Sequence, residues 1–125
     1  AEVKQTLEDA IDYVLNGGSS GAFPYGAGIR YEATKEGTLG TRVKKIEVFD
    51  FKANKWVPID ANKKYMLATN SYIAGGKDGY TTLGKIVSER GGTNTYLGDV
   101  KIFIDYIQKH KEVGRPASSN VKFKY

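Results

Sequence analysis

The chain has 125 residues, 40% of them hydrophobic and 26% charged, enough for one packed domain or part of one, and no apolar run nears the roughly 20 residues that cross a membrane. Cysteine is absent, which excludes disulfides and thiolate zinc sites and leaves the compartment open. The net charge is +5, but the lysines run from Lys4 to Lys124 mixed with acids, so specific nucleic-acid binding is not expected, whereas mild attraction for phosphorylated ligands is.

Val3, Leu7, Ile11 and Val14, with Leu15 beside them, form the apolar face of a first helix. Glu8, Asp9 and Asp12 read as its wet face. The pattern begins almost at residue 1, with no room for the usual entry and N-cap. That predicts a chain cut from something longer, although a frayed natural terminus would look the same. Asn16-Gly17-Gly18 stops the helix, since glycine readily takes the left-handed conformation there.

Phe23-Pro24-Tyr25 and Gly28-Ile29-Arg30-Tyr31 read as a strand entered through a glycine-rich turn. Arg42 to Phe49 alternates, with Ile46 and Val48 on one side and Lys45 and Glu47 on the other, as in a half-buried strand. After a turn at Lys52-Ala53-Asn54-Lys55, Trp56-Val57-Pro58-Ile59 returns as the second hairpin arm. Pro58 has no N–H for a ladder, so this arm is an edge or ends there. Beyond the turn at Asp60 to Lys63, the apolar run Tyr65-Met66-Leu67-Ala68-Thr69 predicts a central strand buried on both faces.

Two helices follow. One spans Thr82 to Glu89 with Leu83, Ile86 and Val87 inward, ended by Gly91-Gly92. The other spans Gly98 to Lys109 with Ile102, Phe103, Tyr106 and Ile107 as its buried stripe. Asp99 near its start and Lys109, His110 and Lys111 at its end suit the helix dipole. Val121, Phe123 and Tyr125 alternate in a last strand. The expected fold is α+β, mixed α/β: a single domain over residues 1–125, with a largely antiparallel sheet and helices packed on it.

Catalytic chemistry finds little support. His110 is the one histidine, and a two-metal hydrolase site needs several His and Asp ligands. A serine triad would also need His110, and no Gly-x-Ser-x-Gly elbow is present. Gly26-Ala27-Gly28 and Gly75-Gly76 lack the spacing of a dinucleotide or P-loop fingerprint. No catalytic residue, metal site or cofactor is therefore expected within this chain.

The segment Asn70-Ser-Tyr-Ile-Ala-Gly-Gly-Lys-Asp-Gly-Tyr80 remains. It follows a predicted strand, and in α/β sheets the crevice beyond a strand's carboxyl end is a favoured ligand site. Tyr72 can stack on a planar base. Gly75 and Gly76 let the main chain approach a ligand. Asp78 can accept hydrogen bonds from two vicinal sugar hydroxyls. The alternative is a plain turn, with Asp78 capping the next helix and Tyr72 in the core.

Taken in order, the motifs resemble the C-terminal domain of the 5'-nucleotidase family, which includes UDP-sugar hydrolases and NAD nucleotidases. The resemblance runs from the leading helix through Ser20-Gly21-Ala22-Phe23-Pro24 and Gly40-Thr41-Arg42-Val43. It continues through Pro58-Ile59-Asp60, Lys64-Tyr65 and Ala68-Thr69-Asn70 to Gly76-Lys77-Asp78-Gly79-Tyr80. It implies that Tyr72, six positions before the motif aspartate, is one side of a base clamp, and that Asp78 binds the ribose hydroxyls. Lys77 stands where the pattern often has glycine, a form similar to the NAD-nucleotidase branch.

The resemblance also implies what lies elsewhere. A separate N-terminal metallophosphatase domain would hold two divalent metal ions, and the second clamp aromatic and substrate-binding arginines would precede the leading helix. On that reading the chain recognises a nucleotide for an extracytoplasmic (periplasmic, secreted or cell-surface) hydrolase and is inactive alone. Two other readings stand beside it: a stand-alone binding or adhesion module, and a hydrolase of sulfur compounds such as thiosulfonates. Retention of both Tyr72 and Asp78 argues against the last.

Overall fold

The computed structural model describes residues 1–125. Helix α1 (Glu2–Leu15) is followed by a single 3-10 turn (Ser20–Ala22), then strands β1 (Ile29–Thr34), β2 (Val43–Asp50) and β3 (Lys55–Pro58). Helices α2 (Ser71–Ala74), α3 (Thr81–Arg90) and α4 (Asp99–His110) come next, and strand β4 (Val121–Lys124) closes the chain. The sheet order is β3-β2-β1-β4. The β3–β2 and β2–β1 pairs are antiparallel and β1–β4 is parallel, so the α+β fold with a largely antiparallel sheet stands.

Local chemistry explains the hairpin. Asp50 Oδ1 accepts the backbone N–H groups of Lys52 and Ala53 at 2.9 and 3.0 Å, and Asn54 takes a left-handed φ of 50°, which Asn tolerates better than most residues. Pro58 ends β3 on the sheet's edge, where its missing N–H costs nothing. In β2 the simple alternation fails. The register shifts between Arg30 and Glu32, and Lys45, at φ 47°, is the extra residue of a bulge. Hence Val43 and Ile46, three positions apart, both reach the core.

That core is α1 against the sheet: Leu7 and Ile11 on Tyr31, Ala33, Val43, Ile46 and Val121. A second cluster joins α1 to α3 through Ala10, Ala22, Tyr80 and Leu83. The two buried tyrosines stay hydrogen-bonded, Tyr31 Oη donating to Pro24 O at 2.8 Å and Tyr80 Oη to Ala22 O at 2.9 Å.

Three expectations are corrected. First, Glu8 and Asp9 are buried, not on a wet face. Glu8 accepts three backbone N–H groups, from Gly40 (2.9 Å), Arg42 (3.2 Å) and Val43 (2.7 Å), so one carboxylate fastens the entry of β2 to α1. Second, Tyr65–Thr69 is no central strand. It joins no ladder, and Met66 is 99% exposed, because no other strand of the chain lies beside it. Third, the α4 stripe is not buried: Ile102, Phe103, Tyr106 and Ile107 all face solvent, and α4 packs against no other element. Helix α3 matches its expectation, with Leu83 buried and Ile86 and Val87 half-buried.

Candidate functional site

The segment after Thr69 is built by short-range bonds. Asn70 is the N-cap of α2, its Oδ1 accepting the Ile73 N–H at 2.8 Å. After this single turn the chain reverses, with Gly76 at φ 79°. Its neighbour across the fold is another glycine: a Cβ on Gly84 of α3 would lie 2.7 Å from Gly76 Cα. The expected role of Gly76 in admitting a ligand is thus joined by a packing role, since only two glycines allow the loop to rest on α3. Gly75 keeps an ordinary φ of −75° as the helix C-cap.

The next reversal aims the carboxylate. Asp78 and Gly79 take φ values of 52° and 81°, and Tyr80 N–H donates back to Lys77 O at 3.1 Å. Positive φ at both central positions marks a type I′ turn, for which Asp-Gly is a preferred pair. Gly79 abuts α1, where an added Cβ would lie 2.3 Å from Tyr13 Cβ. Anchored on both sides, the turn brings Tyr72 Oη to 3.2 Å from Asp78 Oδ1. The charge of Asp78 and this hydrogen bond raise the Tyr72 hydroxyl's pKa above its ordinary 10.0.

Neither half of the plain-turn alternative holds. Tyr72 is outside the core, 55% exposed. Asp78 does not cap α3. That cap comes from α1, where Asp9 Oδ2 accepts Thr82 N–H at 2.8 Å and Thr81 Oγ1–H at 2.9 Å. Burial alone would raise the Asp9 carboxyl, but hydrogen bonds from Thr82, Gln5 and Thr81 outweigh it and hold its pKa below 3.8. The second oxygen of Asp78 accepts no hydrogen bond from the protein.

Sequence reasoning missed Asp9, Glu8 and Tyr13. One signal was present: Thr81-Thr82 opens a helix with no acidic or amide cap of its own, and two acids flank the apolar stripe of α1. Beside the turn lies an open groove of about 520 Å³, lined by Asp9, Asp12, Tyr13, Asn16, Gly79 and Thr81 among others. Neither Tyr72, which is exposed, nor Asp78, which is half-buried, lines it.

No three His, Cys, Asp or Glu side chains gather as a metal site. His110 stacks on Tyr106, ring centroids 4.3 Å apart, at the end of α4. This chain's residues do not fit a two-metal centre. No helix is long and apolar enough to cross a membrane.

A family profile described as "5'-nucleotidase, C-terminal domain" matches residues 1–85. An NAD 5'-nucleotidase of Haemophilus influenzae is 50% identical over 97% of this chain and 21% of its own length. A probable 5'-nucleotidase of Treponema pallidum is 52% identical over 99% of this chain and 21% of its own. The chain therefore spans about a fifth of these relatives. Among solved structures, a Haemophilus influenzae NAD nucleotidase superposes with a TM-score of 0.89 at 50% identity, over 98% of this chain and 22% of that one. A 5'-nucleotidase precursor from Thermus thermophilus gives 0.82 at 29% identity, over 98% and 23%.

Proposed function

The chain belongs to the 5'-nucleotidase C-terminal domain family, and from that premise we propose that it is the nucleoside-gripping part of a longer, extracytoplasmic nucleotide phosphohydrolase. The observation that carries this reading is the 3.2 Å contact between Tyr72 Oη and Asp78 Oδ1. It puts a ring face and a carboxylate within reach of one nucleoside. The base stacks on Tyr72, worth about 1–3 kcal/mol. Two ribose hydroxyls donate to Asp78, at about 1.5–3 kcal/mol for a charged acceptor, and the Tyr72 hydroxyl turns away as they arrive. Both contacts bind the end of the substrate remote from the phosphate, so they serve orientation and leave the chemistry to residues beyond this chain. The relatives' names, NAD 5'-nucleotidase and 5'-nucleotidase, support a nucleotide phosphate ester or anhydride as the scissile group.

Titration calorimetry of the full-length protein with adenosine tests the reading. Asp78→Ala and Tyr72→Ala each weaken binding if it is right, and unchanged affinity in both sinks the site assignment.

A further inference from the structure

Tyr72 and Asp78 each stand on main chain that is fixed separately. Tyr72 lies on α2, which is set by the Asn70 cap and by Ile73, packed on the cluster of Ala10, Tyr80 and Leu83. Asp78 lies on the reversal held by Gly76 against Gly84 and by Gly79 against Tyr13. The 3.2 Å hydrogen bond from Tyr72 Oη to Asp78 Oδ1 therefore forms with little further ordering of the backbone. Asp78 is half-buried, and Tyr72 is the one group of this chain that donates to it. The charge of Asp78 and this bond raise the phenol's pKa above its ordinary 10.0, so the hydroxyl stays protonated, a standing donor, throughout the neutral range.

A carboxylate accepts on both of its oxygens, and a ribose offers it two neighbouring hydroxyls. A site built to hydrogen-bond a substrate hydroxyl ordinarily rejects the analogue that lacks it, because the protein's acceptor is left unpaired. Here the chain carries its own replacement donor. We propose that the Tyr72 hydroxyl is a specificity-determining group: it stands in for one sugar hydroxyl on Asp78, so that the site takes 2'-deoxyribonucleosides nearly as well as ribonucleosides. The inference rests on the nucleoside reading of the site and deepens it. With a ribonucleoside the phenol leaves Asp78 and both sugar hydroxyls donate. With a 2'-deoxyribonucleoside the 3'-hydroxyl takes one oxygen and Tyr72 keeps the other, so no acceptor is stranded as the ligand displaces water. A phenylalanine at position 72 would supply the same ring without the donor.

Titration calorimetry of the full-length protein compares adenosine with 2'-deoxyadenosine, in the parent and in Tyr72→Phe. The parent is expected to bind the two within about threefold, since one donor replaces another. In Tyr72→Phe adenosine holds within a few-fold, while 2'-deoxyadenosine falls at least about tenfold behind it, as when a charged acceptor loses one hydrogen bond. Both ligands carry the same base, so a general disturbance of stacking or folding shifts both and leaves the ratio alone. A ratio of the two Kd values unchanged by Tyr72→Phe overturns the proposal. Asp78→Ala separates this outcome from the proposed function. If it weakens adenosine binding while Tyr72→Phe leaves the ratio unchanged, only the hydroxyl's role falls. If it has no effect, the nucleoside site falls and this inference with it.

Discussion

Asp9 on α1 caps α3 across the fold, its Oδ2 accepting the Thr82 N–H at 2.8 Å. Asp78, the nearer carboxylate in sequence, takes no part in that cap and stands beside Tyr72. Substituting Asp9 by Asn keeps one acceptor oxygen but removes the charge that strengthens its hydrogen bonds. The effect depends on pH. The folded pKa lies below the unfolded value near 3.8, so the stabilisation is present above that value and lost as pH falls through the folded one. Urea midpoints of the parent should drop more steeply than those of Asp9→Asn between about pH 5 and pH 3. Parallel curves would show that Asp9 carries no such linkage.

At the nucleoside site, Tyr72→Phe keeps the stacking face and releases Asp78 Oδ1, so adenosine affinity of the full-length protein should hold within a few-fold. Tyr72→Ala should lose about 1–3 kcal/mol, roughly five- to 150-fold in Kd. Calorimetry distinguishes them. An equal loss in both variants would assign the effect to the hydroxyl and not to stacking.

Glu8 is 1% exposed and holds three backbone N–H groups. Glu8→Ala orphans all three, at about 1–3 kcal/mol for each that water does not recover. Glu8→Gln keeps one acceptor oxygen and should cost less. Denaturant midpoints in the order parent, Gln, Ala are expected, and an Ala variant as stable as the parent would refute the fastening role.

Gly79→Ala meets two penalties: a left-handed φ of 81° and a Cβ placed 2.3 Å from Tyr13 Cβ. Overpacking of this kind typically costs about 1–3 kcal/mol. Adding Tyr13→Gly should recover the steric part and leave the backbone strain. A double-mutant cycle with no coupling would mean that the two residues do not touch.

The 125-residue chain, purified alone with manganese or zinc, should release no phosphate from AMP, because its side chains assemble no metal site. The full-length protein should release it. Turnover by the short chain that survives repurification would refute the division of labour.

The sequence alone determined what rests on neighbours along the chain. Periodicity placed α1 and α3, turn residues placed the β2–β3 hairpin, and the ordered motifs identified the family and singled out Tyr72 and Asp78. Periodicity also marked α4 and Tyr65–Thr69 as surfaces to be buried, but it reports only that a face is apolar, not whether a partner is present to cover it. The tertiary structure decided everything that depends on who stands opposite. Glu8 and Asp9 look like solvated acids in one dimension, and become buried acceptors because β2 and α3 aim unsatisfied N–H groups at them. The bulge at Lys45 turned Val43 and Ile46 to the same side. Asp78 acquired its position from Tyr13, against which only glycine fits at position 79.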